Sequence, residues 1–134
     1  MTGFFDKLRR NEVGAPLVEF ALTLPIIMIV FMGAFGIGNY MYAKNAVNHA
    51  LDEAARTASI FPTPTDAKIK TAYSNALTRD FTADGGTTLT PIHGKSGTID
   101  YVDLKATASI DVDFAFYTKK GVKIEAKRRV FVAN

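Results

Sequence analysis

Gly14-Ala15-Pro16-Leu17-Val18-Glu19-Phe20-Ala21-Leu22-Thr23-Leu24-Pro25-Ile26-Ile27-Met28-Ile29-Val30-Phe31-Met32 decides how this chain is read. Glu19 is the anomaly in it. No other charge falls between Gly14 and Lys44. A charged side chain inside a membrane segment costs about 2.5–3.5 kcal/mol on insertion scales, so an acid placed there is a functional candidate by default. From Phe20 to Ala43 the chain is uncharged. As a helix that stretch rises about 36 Å, against a hydrocarbon layer of about 30 Å. The reading is a transmembrane helix over residues 15–43. Tyr40 and Tyr42 at its far end suit the interfacial aromatic belt.

The flanks set an orientation. Lys7, Arg9 and Arg10 precede the apolar run, whereas Lys44 is soon balanced by Asp52 and Glu53. Positive residues stay on the cytoplasmic side, which puts residues 44–134 on the other. Two other readings compete. A cleavable secretory signal shares the basic start, but this run is too long and no A-x-A site follows it cleanly. A buried helix of a soluble protein does not need all-round apolarity over such a length. Within the helix, Pro25 removes a backbone donor and predicts a kink, with Thr23 and neighbouring helices available to compensate. Gly33, Ala34, Gly36 and Gly38 form a small-residue patch. Ala34 and Gly38 have the small-xxx-small spacing that lets helix backbones approach, although glycine is also simply common in membrane helices.

Composition bounds the rest. The chain has 134 residues and a net charge of +3, with no Cys and no Trp. That leaves room for one membrane helix and one small domain. The basic residues do not gather into a patch of nucleic-acid size, so a polynucleotide partner is not expected. Without Cys there are no disulfides, thiolate metal sites or cysteine nucleophiles.

Beyond the membrane, the predicted fold class is α+β. Ala43, Ala46, Val47, Ala50, Leu51, Ala54 and Ala58 recur at three- and four-residue spacing, predicting a helix over 44–61 that Pro62 and Pro64 end. Thr65 reads as the N-cap of a second, short helix over 65–79, with Ile69, Ala72, Tyr73, Ala76 and Leu77 on its apolar face. Asp84-Gly85-Gly86 is a turn. Period-two alternation runs from Ile99 to Tyr117, with Val102, Leu104, Ala106, Ala108, Ile110, Val112, Phe114 and Phe116 on one face. This run exceeds the usual strand length and invites a bend or break. Lys119-Lys120-Gly121 reads as the hairpin turn. A returning strand over 122–132 carries Val122, Ile124, Ala126, Val130 and Val132, interrupted by Arg128. A third strand is placed at about 87–93. The whole is a long N-terminal helix on a small antiparallel sheet.

Catalytic signals are sparse. His49 and Glu53 stand one helical turn apart, with no third metal ligand evident. Asp103, Asp111 and Asp113 share a strand face and read as solvated. Ser, His and Asp are not set in a nucleophile elbow, and no glycine-rich loop follows a strand. No enzyme, cofactor or metal is expected.

One resemblance organises these observations. Gly14, four residues, then Glu19-Phe20 and a long apolar helix resemble the class III signal of type IV pilins and pseudopilins. Val18-Glu19-Phe20-Ala21-Leu22-Thr23-Leu24-Pro25, then Gly36-x-Gly38-x-Tyr40 and the alanines at 46, 50, 54, 55 and 58, resemble the TadE-like family, minor pseudopilins of tight-adherence (Flp/Tad) pilus systems. The resemblance covers about residues 13–58. It implies a leader peptide over 1–14, cut after Gly14 by a prepilin peptidase so that Ala15 becomes the new N-terminus. It implies that Glu19, with Phe20 beside it, serves assembly by pairing with a neighbour's free α-amine. It further implies helix packing through Gly33, Ala34 and Gly38. The partners would be the peptidase, other pilin or pseudopilin subunits and the lipid of a bacterial inner membrane. Ala15 departs from the aromatic residue that other pilin classes place after the cut. The rival reading is a single-pass, membrane-anchored periplasmic binding module that is never processed.

Overall fold

The computed structural model describes residues 14–60, 62–114 and 116–132. Residues 1–13, with Lys7, Arg9 and Arg10 of the predicted leader, lie outside the described residues. Helix α1 (Ala15–Ala58) is a single rod of 44 residues. Helix α2 (Asp66–Ala76) and a 3-10 turn (Thr82–Asp84) follow, then strands β1 (Thr87–Ser96), β2 (Ile99–Phe114) and β3 (Tyr117–Val132). The strands form one antiparallel sheet in the order β1-β2-β3. The architecture is therefore α+β: a long N-terminal helix, a short second one and a three-stranded antiparallel sheet.

The core lies between the C-terminal half of α1 and one sheet face. Ala43, Ala46, Val47, Ala50, Leu51, Ala54 and Ala58 of α1 are buried. They meet Val102, Leu104, Ala106, Ala108, Ile110 and Val112 of β2, and Ile124, Val130 and Val132 of β3. Alanine dominates the helix side, so the helix axis sits close to the sheet. Ile69 and Tyr73 of α2 close one flank. Thr87 Oγ1 donates to the Thr107 carbonyl at 3.1 Å, so the Tyr73 hydroxyl, 2.7 Å from Thr87 Oγ1, is the donor of that pair. Burial raises the pKa of this phenol above its ordinary value, and the Thr87 hydroxyl, turned to donate to the phenolate, would offset part of the effect.

Several sequence expectations shift here. The first helix ends at Ala58 and not at residue 61, because Ser59 already caps it: its amide donates to the Ala55 carbonyl and its hydroxyl to the Arg56 carbonyl. Thr65 occupies the N-cap of α2 without a side-chain capping bond, and its carbonyl accepts from Lys68 and Ile69. That helix stops at Ala76, where Leu77 turns to an extended conformation. β2 is one unbroken strand of 16 residues. The hairpin does not turn at Lys119-Lys120-Gly121. Phe114 pairs with Tyr117, so the chain reverses between them. Lys120 and Gly121 instead oppose the single residue Asp111, a β-bulge between the pairs Val112–Lys119 and Ile110–Val122. Gly121 takes φ +67°, and its amide donates to Asp111 Oδ1 at 2.8 Å. The glycine signal marked a bulge, which needs a left-handed residue as much as a turn does.

Arg128, the interruption in the apolar row of β3, lies opposite Leu104 on the inner face. Its Nε donates to Asp52 Oδ1 of α1 at 2.7 Å, so the cation sits at the core's rim and ties sheet to helix. On the outer face each acid of β2 has its own partner. Asp103 is held by both Nε and Nη2 of Arg129 at 2.7 Å, and Asp113 accepts from Thr118 Oγ1 at 2.6 Å. The Arg129 guanidinium also lies 4.2 Å from the centre of the Tyr101 ring.

Two outcomes follow from this packing. Leu104 is fully buried at the centre of the sheet. Leu104→Ala should lower the unfolding free energy by about 2–5 kcal/mol, measured by denaturant titration of the detergent-solubilised chain. The bidentate Arg129 contact holds the Asp103 carboxyl below its ordinary pKa. Its contribution to stability is present above the unfolded-state value, about 3.9, and disappears as pH falls through the folded value. NMR titration of Arg129→Met should therefore return the Asp103 pKa upward, and the stability gap between the two proteins should close under acid conditions.

Candidate assembly helix

The N-terminal half of α1 stands clear of the domain. Every residue from Ala15 to Met32 is exposed on this chain, including Leu17, Phe20, Leu22, Ile26, Met28 and Phe31. An apolar surface on all sides is what a hydrocarbon solvent requires and what water disfavours. This is the one helix among the described residues long and apolar enough to cross a membrane, and it lies near the N-terminus.

Its start is set by local chemistry. Gly14 occupies the N-cap with helical backbone angles, and its carbonyl accepts from Val18 at 3.1 Å. Ala15 begins the helix. Pro16 follows in the first turn, where a missing N–H leaves no bond unmade. Gly14 and Ala15 thus lie at the junction where helix begins. Glu19 sits one turn further on, exposed, beside exposed Phe20. Among the described residues no donor or cation pairs with its carboxylate. The Glu19 backbone carbonyl accepts from Thr23 Oγ1 at 2.8 Å. The helix runs on through Pro25 without a break. The Thr23 hydroxyl does not replace the bond that Pro25 removes, since that bond would have gone to the Ala21 carbonyl.

The small residues divide into two kinds. A side chain built at Gly33 or Gly38 would meet nothing within 4 Å. Packing within the chain therefore does not require glycine at either position. Ala34 and Gly38 instead line a shallow groove with Phe31, Phe35, Asn39 and Tyr42. Gly36 differs. A Cβ there would stand 2.6 Å from the Asp113 carbonyl and 3.5 Å from the Phe114 ring. Gly36 is where the end of the β2–β3 hairpin touches α1, a role that spacing along the helix cannot reveal.

The loop after α2 is fastened to the same stretch of α1. Arg79 donates to the Asn39 side-chain carbonyl and, at 2.8 Å, to Asp84. Its guanidinium lies over the Phe81 ring at 5.5 Å. Tyr42 donates to the Thr78 carbonyl at 3.2 Å. Arg79 and Asp84 are both largely buried, so their pairing is worth more than a surface contact. In the sequence Arg79 marked only the end of a helix.

The remaining candidates are accounted for locally. His49 is exposed, and Glu53 lies 4.0 Å from Arg56. Among the described residues no three His, Cys, Asp or Glu side chains group as metal ligands.

Neither a curated protein nor a solved structure matches the chain. The profile of the TadE-like protein family matches residues 14–56, from the N-cap glycine of α1 to its last turn. The match covers the free apolar segment, Glu19, the small-residue patch and the alanine stripe as far as Ala54, and leaves the sheet outside it. By that match, the helix that begins at Gly14 is similar, over residues 14–56, to the TadE-like protein family.

Proposed function

We propose that this chain is a non-enzymatic, membrane-anchored, pseudopilin-like component of Tad pilus biogenesis, processed after Gly14 and assembled through α1. The coarse part of this reading rests on the family match together with an apolar helix fit to anchor the chain. The observation that carries the finer part is Glu19, an exposed acid without a partner among the described residues, on the apolar half of that helix. An ionised carboxylate in hydrocarbon is costly alone and tolerable beside a desolvated cation. Cleavage between Gly14 and Ala15 creates such a cation. An α-amine has a pKa of about 7.7–8.0 and is largely charged at neutral pH. It would stand one helical turn from Glu19 in its own chain and would be free to meet the Glu19 of a neighbour. The open groove at Ala34 and Gly38 is where a neighbouring pilin or pseudopilin helix could approach closely. The domain-bearing half of α1 is already occupied by the sheet, so helix-to-helix contact falls to the free half.

Co-expression with an active prepilin peptidase should yield a chain whose intact mass starts at Ala15. A product that still starts at residue 1 beside a peptidase shown to be active rules out processing. Glu19→Val should leave membrane insertion unchanged and reduce incorporation into the pilus machine, scored by fractionation and pilus yield. Wild-type incorporation of that variant would remove Glu19 from assembly.

A further inference from the structure

The hairpin end that touches Gly36 is aromatic and uncovered. Phe116 is 86% exposed, Tyr117 66% and Phe114 42%. Water-facing hairpin ends usually carry turn-forming polar residues. This one presents two phenylalanines and a tyrosine, followed after Thr118 by Lys119 and Lys120, both exposed. Aromatic rings at the tip with lysines one step behind make the pattern of an interfacial membrane contact. The rings sit at the headgroup level, and the lysines reach to the phosphates.

The position of the tip along α1 points to the same occupant. Asp113 and Phe114 meet α1 at Gly36. Below that level, from Leu17 to Phe35, the helix is largely uncovered and rises about 28 Å, close to one hydrocarbon thickness. Above it, Asn39 is bonded to Arg79, and Ala43 is fully buried by the domain. The lipid-facing span therefore ends near Phe35, several residues before the Ala43 limit read from charge alone. A bilayer seated on that span has its surface at the level of Phe114, Phe116 and Tyr117. Lys119, Lys120 and Lys123 are the cations on this end of the hairpin. Asp111 and Asp113, the acids nearest them, are hydrogen-bonded to Gly121 and Thr118.

We propose that the β2–β3 hairpin tip is a second membrane contact, with Phe114, Phe116 and Tyr117 entering the interfacial layer of the leaflet on the domain's side and Lys119 and Lys120 meeting anionic headgroups. The proposal rests on the membrane-anchored reading of α1. It makes the domain a body held to the bilayer at two points, which fixes its tilt before any assembly step.

The absence of tryptophan from the chain makes the test direct. Two single-tryptophan versions of the full chain, Phe116→Trp and Met28→Trp, are reconstituted in vesicles of phosphatidylcholine and phosphatidylglycerol. The lipids carry bromine either near the headgroup or deep in the acyl chain. The expected result is blue-shifted, quenched emission from both, with Phe116→Trp quenched more by shallow bromine and Met28→Trp more by deep bromine. Quenching of Met28→Trp alone, with water-like emission from Phe116→Trp, overturns the hairpin contact and leaves the anchor standing. Blue-shifted but unquenched emission from Phe116→Trp means that protein covers the tip, and it overturns the proposal equally. If Met28→Trp is unquenched, the anchored reading fails and takes the hairpin contact with it.

Discussion

The fold depends on how closely α1 lies against β2. Alanines at 43, 46, 50, 54 and 58 leave little side chain between helix and sheet, and Ala106 and Ala108 answer them from the strand. Larger residues, Val47 and Leu51 from the helix with Leu104 and Ile110 from the sheet, are fully buried and fill the remaining volume. An interior built this way has few gaps and little tolerance for volume change. It also explains why so small a sheet suffices. Three strands with one apolar face form a stable unit once a helix covers that face. The same helix then extends beyond the domain, so the rod that completes the core also carries the exposed apolar segment.

Polar contacts are arranged around this seat, not within it. Arg128 with Asp52 pins one rim of the sheet to α1, and Arg79 with Asn39 and Asp84 pins the loop after α2. Arg128 and Asp52 keep their charges about half exposed, which spares that pair the desolvation cost of a buried one, whereas Arg79 and Asp84 are largely buried and offset that cost by pairing. The Asp103–Arg129 pair lies on the far face of the sheet and serves cross-strand pairing alone. The acids that looked in sequence like a row of equivalent, solvated carboxylates are thus three separate fittings: a salt bridge, a bulge clamp and a hydroxyl contact.

What was legible in the sequence was what repeats. The three-and-four spacing of alanines located the covered face of α1, and alternation from Val102 to Val112 located the buried face of β2. Where the sequence was read wrongly, a residue had two structural uses. Gly121 supplies a left-handed conformation for a bulge, but the same residue type marks a turn. Arg128 breaks an apolar pattern because a partner distant in sequence accepts it. Gly36 and Arg79 owe their roles to residues on other elements, which periodicity does not encode. Glu19, Gly33, Ala34 and Gly38 are different again. Packing within the described chain does not require glycine at 33 or 38; a lone charge singled out Glu19 and small-residue spacing the others, and the resemblance then gave them a shared role.

The hairpin lies lengthwise on α1, from the Gly36 contact toward Ala58, and this has a mechanical consequence. A load applied to the free end of the helix acts along its axis, parallel to β2 and β3. The interface is then sheared as a whole, and its contacts share the force instead of failing one after another as they would in peeling. A protein tugged lengthwise by its N-terminal rod would move as one piece, with its domain drawn along intact.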